Sequence, residues 1–342
     1  MKFVASAPAS LMLCGEYSVL EDGYSLVLAA NKRIKITIAH RPQLALVITD
    51  AKHLMNGGVI MQEGREFLSN NSLVSFILRD FQILESTPLL LSIESQIPIM
   101  GLGSSGALIA CMTALLLLYT ERISLPLSYS HLELIYQRGW EIARAFQSSY
   151  SSGSDIACSI LGGMILHRKH GLCVNKSNSV PYEICLIYCG YKRKTADIIW
   201  LTQRLDDASR IRLFKEMDFN SLMLFDGINN RDNALIRNSM NSAHRILQNL
   251  GMSDFLLDSI VQKMNAQSRY GAKISGSGLG DCALTFSAWD DPDAVYAKTP
   301  LPFAPAFDDA SDAMRAGAIC ELRCGCDSVG LCVKKDVIKR IN

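Results

Sequence analysis

The chain has 342 residues, a length that predicts two domains or one large one. Hydrophobic residues make up 49% and charged residues 20%, which excludes disordered and fibrous proteins and indicates a globular chain. The 34 Lys and Arg residues balance 33 Asp and Glu residues, so we expect no nucleic-acid partner. The longest apolar run, residues 107–119, is shorter than the roughly 20 residues of a membrane span. It predicts a buried core helix, and we expect no membrane partner.

The N-terminal half predicts mainly short strands. We expect two of them at residues 2–6 and 10–14, separated by Pro8. A half-buried strand follows within residues 27–38, where Ile34, Ile36 and Ile38 alternate with polar residues. The remaining predictions are strands at 44–48, 89–93, 164–167 and 183–189, a turn at 56–58, and helices at 66–83, about 105–120 and 127–146.

The C-terminal half predicts longer helices, over residues 197–227 and 231–266. One apolar face recurs at three- and four-residue steps, and Gly251 is placed to end that helix before another begins at Asp254. Strands return at 283–286 and within 319–333, after a proline-rich loop over 288–306. Strands and helices do not alternate regularly, so the predicted fold class is α+β.

The eleven cysteines are odd in number, mostly lie in apolar runs and follow no secretory signal. This pattern predicts reduced thiols and a cytoplasmic protein. The C-terminal group Cys320, Cys324, Cys326 and Cys332 has spacing that fits a zinc site poorly, so we expect no metal there.

A glycine- and serine-rich segment, residues 98–107, comes directly before the best predicted helix. Small residues let a backbone approach an anion closely, and the free N–H groups of a following helix point at it. The hydroxyls of Ser104 and Ser105 could reach phosphate or Mg²⁺. The segment is not a Walker A loop, because no G-K-[ST] follows. Alone, it fits a helix cap as well as a phosphate site.

Two more segments have the same character. Residues 273–282 hold three glycines at alternate positions before an apolar strand, which fits a flexible hairpin loop or a binding loop. In residues 151–158, Asp155 lies among serines and a glycine. That aspartate could cap the following helix, or act as a base beside a phosphate.

Together, these segments resemble the signature motifs of the GHMP small-molecule kinase superfamily, in order and over nearly the whole chain. Residues 6–20 resemble its first motif, 101–105 its second and 276–280 its third. Residues 240–258 and 190–196 resemble the mevalonate branch. Tyr17, Ile156 and Asp281 are more similar to the corresponding residues of phosphomevalonate kinases. The motifs therefore do not decide between mevalonate and phosphomevalonate as the acceptor.

The resemblance implies a two-lobed GHMP kinase fold, with a ribosomal-protein-S5-like N-terminal lobe over residues 1–180 and a ferredoxin-like α+β C-terminal lobe over residues 181–342. It implies ATP-dependent phosphorylation of mevalonate or phosphomevalonate in isoprenoid precursor synthesis, with Mg²⁺ and a small anionic substrate in the cleft. A homodimer is compatible with it. Its implied catalytic residues are Asp155 and Ser10. Its implied binding residues are Gly101, Leu102, Gly103, Ser104, Ser105 and Gly106 for ATP; Glu16, Tyr17, Ser152, Gly153, Lys192, Thr195, Ser275, Gly276, Ser277 and Gly278 for substrate; and Ser104, Ser105 and Glu141 for Mg²⁺.

Two positions depart from the family pattern. Ser10 stands where mevalonate and phosphomevalonate kinases usually have a lysine, although homoserine kinases also have P-A-S there. Arg144 stands where the family has its Mg²⁺-binding glutamate, and Glu141 is the expected substitute. The alternatives are a related diphosphomevalonate or phosphomevalonate decarboxylase, another superfamily kinase acting on homoserine or a sugar, and a non-catalytic relative.

Overall fold

The computed structural model describes residues 2–49, 60–63, 68, 72–97, 101–146, 151–169, 171–191, 205–288 and 320–336. The predicted turn at 56–58, the basic segment 192–196 with Lys192 and Thr195, and most of the proline-rich loop lie outside these ranges.

Twelve strands and seven α-helices occur in the described ranges. The strands are β1 Lys2–Cys14, β2 Tyr24–His40, β3 Ala45–Thr49, β4 Ile60–Glu63, β5 Leu89–Ser95, β6 Met164–Arg168, β7 Asn175–Ser177, β8 Tyr182–Tyr188, β9 Ala272–Ser275, β10 Cys282–Ala288, β11 Cys320–Cys324 and β12 Cys332–Lys335. The helices are α1 Leu73–Asp80, α2 Ser104–Tyr119, α3 Tyr129–Phe146, α4 Ser154–Leu161, α5 Asp207–Asn230, α6 Asn233–Asn249 and α7 Phe255–Gln267.

The strands form two sheets. The larger sheet has the order β12-β1-β2-β5-β3-β4, with β6 also paired to β2 and β7 to β6. Its only parallel pair among the described strands is β3–β5. The smaller sheet has the order β11-β8-β10-β9 and is antiparallel throughout. The predicted α+β class is confirmed.

The first strand differs from its prediction, because Pro8 does not divide it. β1 runs unbroken from Lys2 to Cys14 and takes up the proline with a register shift between Pro8 and Ala9. The partner strand β12 pairs only with Phe3–Ser6. Pro8 therefore lies beyond the end of β12, where its missing N–H leaves no ladder bond unmade.

The last described strand crosses the predicted boundary between the lobes. β12 pairs with β1 in the larger sheet, although it falls within residues 181–342. Arg33 fixes this return, because its guanidinium pairs with Asp327 and donates to the carbonyl oxygens of Ser6 and Gly330. Strand β12 therefore belongs to the same sheet as the first strand of the chain.

The helix α2 forms the centre of the core, as its apolar run predicts. All but four of its 16 residues after Gly103 are buried, on every face. Gly139 of α3 lets that helix approach closely, since a Cβ there would lie 2.9 Å from Ile109 Cγ2. Gly251 ends α6 with a φ of +76°, as expected for a residue just past a helix end. Within the described ranges, no helix combines the length and apolar character needed to cross a bilayer.

From two buried histidines we predict how the free energy of unfolding changes with pH. Burial lowers the pKa values of His167 and His244 to about 4, from an ordinary value of 6.5. The unfolded chain therefore binds more protons than the fold between these values, and the free energy of unfolding should decrease as pH falls from 6.5 toward 4.

Urea unfolding at several pH values measures this change. Burial raises the pKa of Asp155, and this shift makes the free energy of unfolding increase as pH falls. The contribution of the histidines is therefore obtained by comparison with a variant that lacks them. The double variant His167→Gln/His244→Gln should give a flatter profile over this range. An identical slope in the variant would contradict the assignment to the histidines.

Candidate active site

The three glycine-rich segments and the end of β1 meet around one cavity of about 290 Å³. The residues that line it come from parts of the chain up to 271 positions apart. They are Ser10, Met12, Glu16, Tyr17, Leu20, Val27, Gly101, Leu102, Gly103, Ser105, Ser151, Ser152, Ser154, Asp155, Ser275, Gly276, Ser277 and Asp281. Twelve of these are among the sequence-predicted site residues.

Asp155 lies in the first turn of α4, which begins after Gly153 with a left-handed φ of +79°. Backbone N–H groups at the helix start stabilise its carboxylate, but burial has the larger effect and raises the pKa of Asp155. A raised pKa makes a carboxyl group a better proton acceptor. The side chain is thus suited to acid–base chemistry at the cavity wall.

The first turn of α2 packs directly against the backbone of Asp155. A Cβ on Gly106 would lie 2.8 Å from the carbonyl carbon of Asp155 and 2.9 Å from its oxygen. Only glycine permits this approach. Gly106 is buried and does not line the cavity, so it positions α2 against α4.

The predicted phosphate loop rests on β1. Gly103 N–H donates to the Ser10 carbonyl oxygen at 2.7 Å, and a Cβ on Gly103 would lie 2.2 Å from Ser10 Oγ. Gly103 caps α2 without a side-chain hydrogen bond, which leaves N–H groups of the first turn available to an anion. Ser105 lines the cavity, whereas Ser104 is exposed and does not.

The third segment is the hairpin loop between β9 and β10, as one of its two interpretations predicts. Gly276 and Gly278 adopt left-handed φ values of +74° and +80°. A Cβ on Gly278 would lie 2.2 Å from the Met252 carbonyl oxygen, so this loop packs tightly on the end of α6. Gly278 supports the loop, and Gly276 lines the cavity.

Tyr17 joins the first motif to the third. Its hydroxyl donates to the Ser277 carbonyl oxygen at 2.5 Å and lies 2.9 Å from Met252 Sδ. Burial and the neighbouring Glu16 carboxylate raise the pKa of Tyr17, which keeps the hydroxyl protonated as a donor. Tyr17 therefore holds the hairpin loop against the cavity.

A buried ion pair lies beside the cavity. Lys273 Nζ pairs with Glu16 Oε1, and the two side chains are 0% and 3% exposed. Glu16 Oε2 has no hydrogen-bond partner among the described residues. Glu16 lines the cavity, so its carboxylate lies at the edge of the space that a ligand would occupy. Lys273 was not among the predicted site residues.

Glu141, the predicted Mg²⁺ ligand, is not among the residues that line the cavity. It is 61% exposed and forms an ion pair of 2.8 Å with Arg138. The buried face of α3 consists of Ile135, Tyr136, Gly139, Ile142 and Ala143. Position 141 lies on the opposite face. Arg144 is also exposed and stacks over the Trp140 ring.

Comparison with known protein families finds a match over residues 71–163. The matching family is described as GHMP kinases N terminal domain. This stretch of the chain is therefore similar to a GHMP kinase N-terminal domain. The matched range contains both the phosphate loop and Asp155. The resemblance to the GHMP kinase superfamily is thereby confirmed.

Similarity to GHMP kinases of the mevalonate branch extends over most of the chain. The mevalonate kinase of Aeropyrum pernix is 24% identical over 292 residues, which cover 82% of this chain and 87% of that one. The Methanococcus jannaschii mevalonate kinase structure has a TM-score of 0.69 at 17% identity, covering 95% and 98% of the two chains. Streptococcus pneumoniae phosphomevalonate kinase, in complex with phosphomevalonate and AMPPNP, has a TM-score of 0.67 at 14% identity, covering 94% and 99%. The predicted GHMP kinase fold is confirmed.

Proposed function

We propose that this protein transfers the γ-phosphoryl group of ATP to mevalonate or phosphomevalonate in the cytoplasm. The observation that carries the proposal is the meeting of Asp155, the phosphate loop and the third glycine-rich loop around one cavity. The similarity to mevalonate kinases over 82% of the chain supports the choice of acceptor class. The free thiols of the described cysteines agree with a reducing compartment.

Asp155 accepts the proton of the acceptor oxygen as that oxygen bonds to the γ-phosphorus. The bond from phosphorus to the β–γ bridging oxygen breaks, and ADP leaves. Phosphoryl transfer depends mainly on positioning and charge stabilisation, which the N–H groups at the start of α2 and the Ser105 hydroxyl supply. The Glu16 carboxylate accepts a hydrogen bond from an acceptor hydroxyl.

The oxygen donors of the cavity fit Mg²⁺. This ion is usually held by one or two carboxylates together with substrate phosphates. Among the described residues there is no cluster of three or more metal-binding side chains, so the phosphates must supply part of the coordination. The Ser105 hydroxyl would hold the ion together with the phosphates, and the bound ion would neutralise phosphate charge.

An acceptor panel tests the proposed function. The purified protein is incubated with MgATP and mevalonate, phosphomevalonate, diphosphomevalonate, homoserine or galactose, and ADP release is measured. We expect turnover with mevalonate or phosphomevalonate and with neither homoserine nor galactose. Release of CO₂ would instead indicate a decarboxylase, and nucleotide binding without turnover would indicate a non-catalytic relative.

Ser10→Lys should raise kcat several-fold. Ser10 lines the cavity under Gly103, so a lysine ammonium could reach the phosphates and stabilise charge in the transition state. Ser10→Met is the matched control, since it adds similar bulk without charge and should not raise kcat. A Ser10→Lys rate that is unchanged or lower would count against a missing positive charge at this position.

A further inference from the structure

Asp281 has a backbone conformation that is uncommon for a residue with a side chain. It lies at the end of the β9–β10 loop with a left-handed φ of +69°. Its N–H donates to the Tyr191 carbonyl oxygen at 2.7 Å, and its own carbonyl oxygen accepts from Cys189 N–H at 2.9 Å. The backbone of Asp281 is therefore anchored to the chain just beyond β8.

From this anchored backbone, the side chain reaches the phosphate loop, 180 residues away in sequence. Asp281 Oδ1 accepts the N–H of Gly101 at 2.7 Å. Gly101 has a left-handed φ of +44°, and a Cβ there would lie 2.6 Å from Cys282 Sγ. The start of the phosphate loop thus fits closely against the hairpin. The hydrogen bond from Gly101 N–H to the Asp281 side chain holds it there.

We infer that Asp281 is a positioning residue that fixes the phosphate loop at Gly101 for nucleotide binding. The loop is held at two points on one short stretch, since Gly103 is bonded to Ser10. Two fixed points set the direction of the N–H groups that follow, before any nucleotide arrives. A loop already in its bound conformation costs less to order on binding, which favours affinity.

The inference rests on the proposed function in that a nucleotide is the ligand. Two substitutions at Asp281 separate the effect of the side-chain hydrogen bond from the effect of the left-handed backbone conformation. Asp281→Gly tolerates the left-handed φ but removes the acceptor, whereas Asp281→Asn tolerates it and keeps an oxygen acceptor. Both variants should keep the fold, and their urea unfolding curves check this.

The measurement is the dissociation constant of MgADP by titration calorimetry, without any acceptor. Asp281→Gly should weaken binding about tenfold, and Asp281→Asn should stay within about twofold of the wild type. In turnover, Asp281→Gly should raise the KM for ATP more than it lowers kcat, which a loss of folded protein would not do. Equal weakening in both variants would overturn the inference, because the charge and not the hydrogen bond would then matter.

The failure of the inference differs from the failure of the proposed function. Unchanged or tighter MgADP binding by Asp281→Gly would overturn only the role of Asp281, and tighter binding would mean that the carboxylate competes with phosphate. A wild-type protein that binds no nucleotide would overturn both. Absence of turnover on any acceptor, with the expected binding differences intact, would leave Asp281 as assigned and count against the acceptor class.

Discussion

Asp155→Asn is expected to lower kcat about a thousandfold while leaving MgADP binding within about twofold of the wild type. Asparagine has nearly the shape of aspartate and can occupy the same place at the start of α4. It cannot accept a proton from the acceptor oxygen. The loss should therefore appear in the chemical step and not in nucleotide binding.

Steady-state ADP release and titration calorimetry measure the two effects separately. Glu133→Gln is the control, since it makes the same change of acid to amide at an exposed position of α3. Its kcat should equal that of the wild type. An Asp155→Asn variant with a normal kcat would contradict the assignment of this carboxylate as the base.

Lys273→Met is expected to lower the free energy of unfolding by about 3–5 kcal/mol. The lysine is fully buried, and its removal leaves the Glu16 carboxylate buried with neither oxygen hydrogen-bonded to the described residues. Breaking a buried ion pair from one side costs far more than removing both charges. The double variant Glu16→Gln/Lys273→Met should therefore recover most of the lost stability.

Urea unfolding of the two single variants and the double variant gives the interaction energy directly. The control is the pair Lys35–Glu94, whose side chains are 49% and 43% exposed. Lys35→Met should change the free energy of unfolding by less than about 1 kcal/mol. Additive losses in the Glu16 and Lys273 variants would contradict a coupled buried pair.

The sequence predicts the local parts of this fold well. The apolar run that becomes α2, the glycine at the end of α6 and the loop that precedes a helix all depend on neighbours within a few residues. Asp155 could be proposed for the same reason, since its segment resembles a motif without reference to distant residues. Features of this kind can be predicted without knowledge of the tertiary structure.

Long-range pairings are not visible in the sequence. Lys273 and Glu16 are 257 positions apart in the sequence, and Asp281 and Gly101 are 180 apart. No local sequence pattern therefore predicts either contact. The exposure of Glu141, by contrast, follows from a local pattern. The apolar stripe of α3, with Ile135, Gly139 and Ile142, already places position 141 on the solvent face.

The direct test of the central claim is to identify the product. The protein is incubated with MgATP and with mevalonate or phosphomevalonate, and ³¹P NMR and mass spectrometry follow the phosphoryl group. We predict one new phosphorylated acceptor formed in equal amount to ADP, and none with Asp155→Asn. ATP hydrolysed to ADP and inorganic phosphate, with both acceptors unchanged, would contradict the account.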